Sequence, residues 1–107
     1  MLPVCPLTHY CVVLEGLPLG VTGAQLVHAA GESSPGGIPD GTYAVVLAAK
    51  SEMQLLALEQ RLLSKNIPHA AIREPDAPWF GRLMAIGIAP CDRSLVKKEV
   101  SNFPLLK

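Results

Sequence analysis

The sequence predicts a single α/β domain over residues 1–107: a mixed four-stranded sheet with helices packed on it, in the order β-α-β-α-β-β-α. Three observations carry that prediction. Short continuous apolar runs, YCVVL, TYAVVLAA and LMAIGI, read as strands buried on both faces. The segments after the first two runs space their apolar residues as helices do. The connections are rich in Gly and Pro, with no linker, repeat or low-complexity stretch to divide the chain. With half of its 107 residues apolar and 17% charged, the chain can bury one core, and disorder is not expected.

Met1 to Leu7 is Pro-rich and reads as a loose lead-in. Tyr10 to Leu14 is the first strand. Glu15 to Gly20 delivers the chain to a helix opened by Thr22, whose hydroxyl forms a capping-box pattern with the Gln25 amide. Along this helix Gln25, His28 and Glu32 recur at i, i+3 and i+7 and share one polar face. Leu26, Val27, Ala29 and Ala30 supply the buried side, small enough to lie close to a sheet. Gly31 to Gly41 is loop by composition, and Thr42 to Ala49 is the second strand. Ser51 opens the second helix through a capping box with Gln54. Leu55, Leu58 and Leu62 form its core stripe, and Asn66 stops it.

Ile67 to Arg73 is the third strand, kept near an edge by Pro68. Glu74 to Gly81 is a loop with Trp79, Phe80 and two carboxylates. Leu83 to Ile88 is the fourth strand, where Gly87 signals a close backbone approach. Asp92 caps a third helix through Val100 that exposes Arg93, Lys97 and Lys98, and Phe103 to Leu106 docks back as a tail. The two β-α-β crossovers imply parallel neighbours, and the short loop between strands three and four implies an antiparallel pair, so the sheet is mixed.

Nine basic and nine acidic residues cancel. The chain therefore lacks the global field that gathers nucleic acid from a distance, and any such contact needs a local patch. Three cysteines, Cys5, Cys11 and Cys91, form no C-x-x-C pair and fit a reduced cytoplasmic protein. No His and Cys residues have metal-ligand spacing, so no metal is expected. Neither a signal peptide nor an apolar stretch of membrane-spanning length is present, so a soluble protein without a membrane partner is expected.

The segments AQLVHAA, YAVVL, KNIPHAAIREPD, AIGIAP and FPLLK, in that order, resemble the type 2 peptidyl-tRNA hydrolases from about Tyr10 to Lys107. Gln25 with His28 and Ala29 matches the family's Ala-Gln-x-x-His-Ala, and Ala85 to Pro90 matches its Gly-Ile-Gly-Pro strand end. The resemblance implies an α/β fold with a mixed four-stranded sheet, cleavage of the ester between a peptide and the tRNA 3′ end, no cofactor, and frequent homodimers. Apolar residues near Trp79 could support such a dimer. The chain also departs from the family. Leu19, Gly20 and Val21 stand where a basic G-K-G-K segment is usual, so its lysines, one of them assigned a catalytic role, are absent. The family's Asp after strand three corresponds to Glu74 or, with a shift, Asp76, and its Thr at the last strand to Met84.

Ester hydrolysis needs an activated water and donors for the developing oxyanion. The residues left for that work are His28, paired with Glu32 or with Asp76 from the facing loop, and Gln25 as donor or water-positioner. Arg73 and Arg82 would replace the lysines at phosphates. Trp79 would stack on an unpaired base or else fold back as a plug, and Lys97 and Lys98 would contact RNA or simply form a solvated face. The alternatives are a non-catalytic module that binds a tRNA end or nucleotide, and a cleft adapted to another small ligand.

Overall fold

The computed structural model describes residues 6–107. Cys5 and most of the Pro-rich lead-in fall outside them. The elements are β1 (Thr8–Leu14), α1 (Leu19–Glu32), β2 (Tyr43–Ala49), α2 (Glu52–Ser64), β3 (His69–Glu74), β4 (Arg82–Ile88), a 3-10 turn (Arg93–Leu95) and α3 (Lys97–Val100). This is the predicted order. The strands form one mixed sheet in the order β2-β1-β4-β3. β1 runs parallel to β2, and β4 is antiparallel to both of its neighbours.

Burial explains the strand order. β1 is buried at all seven positions, and β4 is buried from Leu83 to Ile88, so these two take the centre. β3 is only partly buried and carries Arg73 and Glu74, so it takes an edge. This corrects one expectation. The first crossover joins parallel neighbours, but the second does not, because α2 carries the chain to the far edge and β4 fills the place beside β1. Pro68 immediately precedes β3, and its carbonyl accepts from Ala89 N–H at 3.0 Å.

Side chains alternate across the sheet and build two cores. Cys11, Val13, Ile72 and Ala85 pack with Ala29 of α1. Tyr10, Val12, Leu14, Ile86 and Ile88 pack with Leu55, Leu58 and Leu62 of α2, joined by Val96, Val100 and Phe103. The α1 face is the thin one because its residues are small. At Gly87 a Cβ would come within 2.5 Å of Ser33 Oγ and closer still to the Ala29 carbonyl, so only glycine admits this helix. The close approach predicted at Gly87 is therefore that of α1.

Helix starts follow local chemistry. Ser51 caps α2 as expected, its hydroxyl accepting from Gln54 N–H at 3.3 Å, while Gln54 Oε1 accepts from Lys50 N–H rather than from the cap itself. Asn66, with φ of 55°, ends that helix in the left-handed conformation. The capping box expected at Thr22 and Gln25 does not form. α1 begins earlier, after Pro18, whose missing N–H costs nothing just outside a helix. Thr22 lies inside the first turn and donates back to the Pro18 carbonyl at 3.2 Å. The predicted third helix is broken: Asp92 caps Ser94 N–H, but a 3-10 turn precedes the four-residue α3.

Candidate functional site

The buried ridge of α1 is Gln25, Ala29 and Ser33, spaced i, i+4 and i+8. It is not the polar face of Gln25, His28 and Glu32 expected from the sequence. His28 and Glu32 keep 64% and 61% of their side chains exposed and approach only to 4.0 Å, and Val27, expected inside, is exposed. Two polar residues, Gln25 and Ser33, thus lie on the packed side of the helix, where apolar periodicity gives no warning of them.

At one end of the ridge Gln25 is 3% exposed, and its Nε2 donates to Glu74 Oε2 at 3.3 Å. The other Glu74 oxygen accepts from Asp76 N–H at 3.2 Å, which fixes the carboxylate at the end of β3. Gln25 Oε1 is buried and has no hydrogen-bond partner among the described residues. A buried amide oxygen left unmatched costs about 1–3 kcal/mol, so this position is held at the expense of stability. Of the pair, the partly buried Glu74 keeps lone pairs within reach of a ligand, whereas the Gln25 amide oxygen is enclosed.

At the other end lies a second polar contact that the sequence reading missed. His9, in the fully buried β1, holds Ser33 Oγ at 2.8 Å through Nε2. Ser33 donates its one proton to the Ala29 carbonyl at 2.6 Å, so the imidazole N–H is the donor to Ser33. Burial lowers the pKa of His9 and keeps it neutral. The serine is thus a clamp under Gly87 and not an activated nucleophile. The only sequence signal for it is the spacing of four from Gln25 through Ala29 to Ser33.

The other expected site residues do not converge. No hydrogen bond or ion pair joins His28 to Asp76 among the described residues, and Glu74, not Asp76, is the carboxylate that meets Gln25. Arg73 grips Glu59 of α2 through two hydrogen bonds at 2.8 and 3.0 Å. That contact lowers the Glu59 pKa and raises that of Arg73. Arg82 lies 3.9 Å from Glu52, also on α2. Both arginines therefore turn to the face opposite α1. Trp79 packs against the α2-side core as a plug, while Phe80 beside it is 76% exposed. Lys97 and Lys98 are exposed on α3, which stands against α2. Burial pushes the Cys11 thiol up to about 11 and raises Cys91 as well, so neither is a ready thiolate. Among the described residues, no group of three His, Cys, Asp or Glu side chains is placed to hold a metal ion, and no helix is long and apolar enough to cross a membrane.

The fold is shared. A solved structure of a protein of unknown function from Agrobacterium tumefaciens str. C58, Atu0240, superposes with a TM-score of 0.64 over 97% of this chain and 100% of its own, at 18% identity. At that identity the likeness speaks for the fold alone. No protein-family model and no curated protein matches the chain.

Proposed function

We propose that this chain has a type 2 peptidyl-tRNA hydrolase-like fold and acts on the acylated end of an aminoacyl ester at the Gln25–Glu74 pair. One observation carries the reading. Two positions to which the resemblance assigns chemistry, 49 residues apart in sequence, meet through a hydrogen bond, and one of them is buried. Glu74 is the base that takes a proton from the attacking water, and Gln25 holds its carboxylate in place.

No lysine or arginine side chain bonds to either residue among the described residues, so the grip is on the acyl part and not on phosphates. The test compares an N-acetylated aminoacyl-tRNA with the ethyl ester of the same N-acetyl amino acid. Both are expected to be cleaved, and the rate on tRNA is expected to change by less than about twofold between about 50 and about 500 mM salt. A steep loss with salt, or cleavage of the tRNA ester alone, would contradict the reading.

A second reading rests on one further observation. The two N–H groups that reach the pair, Gln25 Nε2 and Asp76 N, both donate to Glu74 rather than to the place where an oxyanion would develop. A site with a base and no free oxyanion donor binds without cleaving. On this reading the non-hydrolysable amide analogue binds and the ester is bound but not turned over.

A further inference from the structure

β2 has an edge that is only half covered. Its odd-numbered residues bond to β1: Tyr43 N–H reaches the Leu7 carbonyl, and the Ala49 carbonyl accepts from Glu15 N–H. Ala44, Val46 and Ala48 therefore turn their backbone groups away from β1, toward the outside of the sheet. The C-terminal tail takes up part of that row. Ala48 N–H donates to the Pro104 carbonyl at 2.8 Å, and Leu106 N–H donates to the Val46 carbonyl at 3.1 Å, with the tail antiparallel to β2. No backbone bond from the described residues reaches the outer side of Ala44. Burial follows the same division: Tyr43 and Ala44 are exposed, and Leu47 to Ala49 are buried.

Beside this open half lies a groove of about 570 Å³ on the α2 side of the sheet. Its shelf is apolar, with Val45, Tyr43 at 63% and Leu105 at 62% exposure. Arg93 and Lys97 stand in its wall. Neither side chain makes an ion pair or hydrogen bond among the described residues, whereas Arg73, Arg82 and Lys65 are each paired with a glutamate. A free strand edge, an apolar shelf and two unpaired cations stand together, far from the Gln25–Glu74 pair.

We propose that this edge binds an extended acidic peptide by strand addition. The incoming strand lies in line with the tail and bonds to the N–H and C=O of Ala44. Its side chains turned toward the groove place apolar groups on Tyr43 and Leu105, and carboxylates on Arg93 and Lys97. Exposed edges of this kind are otherwise a liability that proteins blunt with charge or cover, and here the cover stops at Val46.

The test is fluorescence anisotropy of the purified chain with the labelled heptapeptide Val-Thr-Glu-Thr-Val-Thr-Glu, whose valines and glutamates share one strand face, beside the same peptide with lysine in place of glutamate. The acidic peptide is expected to bind saturably and the basic one not to bind. Ala44→Pro removes the edge N–H at a position where proline is tolerated, and Lys97→Glu reverses one wall charge. Each is expected to weaken binding about tenfold or more, with the amide NMR spectrum retaining its dispersion. Lys97→Glu, a surface change, keeps the test decisive if Ala44→Pro unfolds. No saturable binding, equal binding of both peptides, or affinity unchanged in Lys97→Glu overturns the proposal. Displacement of the peptide by adenosine monophosphate would make the groove a nucleotide site, and a dimer that Ala44→Pro dissociates would give the edge to a second copy. Either result overturns it too.

Discussion

Gln25 and Gly87 are the residues where single atoms decide most. Gln25 is a polar residue on the buried ridge of a helix, with one amide oxygen unmatched. Replacing it by the near-isosteric methionine removes that penalty, so Gln25→Met is expected to leave unfolding stability within about 1 kcal/mol of wild type, or to raise it, while abolishing ester turnover. Urea denaturation beside the cleavage assay checks both halves. Gly87 carries the opposite expectation. Its Cβ position is already occupied by α1 backbone, which cannot swing aside as a side chain can. Gly87→Ala is expected to cost about 2–3 kcal/mol in the same urea experiment, by forcing α1 off the sheet. The importance of both residues was legible in the sequence, as an invitation to close approach at Gly87 and as a matched family position at Gln25. Their partners were not. Ser33, Ala29 and Glu74 lie far from them in the chain, and no local pattern announces a meeting across 49 residues.

At the scale of elements, the strands were legible because continuous apolar runs leave few alternatives. α2 was equally clear, since its leucine stripe and its cap agree. The side chain of Ser51 satisfies an N–H that the helix leaves free, so Ser51→Ala is expected to lower stability by about 1 kcal/mol, read from the shift in the urea midpoint. α1 was misread by one face. Its apolar Leu19 and Val27 stand exposed while the polar residues Gln25 and Ser33 are buried, so its apolar residues do not mark the face that packs. His28 and Glu32 do stand together, 4.0 Å apart, but on the exposed side of α1 and not on the ridge that packs against the sheet. The arginines were misassigned for a related reason. Glutamates at Glu52 and Glu59 on α2 face the side of the sheet to which Arg73 and Arg82 turn, and sequence alone does not pair residues of a helix with those of strands beyond it.

For the molecule as a whole, the titratable groups tie stability to pH in one direction. Burial lowers the His9 pKa, so the unfolded chain takes up its proton first as pH falls below about 6.5, and stability starts to decline there. Glu59 and Glu99 are held below their ordinary values by hydrogen bonds from Arg73 and Lys65 respectively. Their contribution is complete above the ordinary carboxylate range and is lost as pH falls through their lowered values, below about pH 4. Thermal melts are therefore expected to show a two-stage acid decline, with the first stage absent in His9→Asn and the second blunted in Arg73→Met. A decline beginning only below about pH 5 in wild type would remove His9 from this account. At this scale three of the nine cations, Lys65, Arg73 and Arg82, pair with glutamates on the α2 side, and among the described residues none is bonded to the Gln25–Glu74 pair.

The proposed function makes Glu74, oriented by Gln25, the working carboxylate and leaves His28 outside the chemistry. Single-turnover cleavage of an N-acetylated aminoacyl-tRNA, with the chain in excess, tests it most directly when Glu74→Gln and His28→Ala are run beside wild type. Wild type is expected to cleave the ester, His28→Ala to keep a rate within about twofold of it, and Glu74→Gln to lose about a hundredfold or more with the fold intact. Cleavage that survives Glu74→Gln but vanishes in His28→Ala would contradict it, as would no cleavage at all by folded wild-type protein.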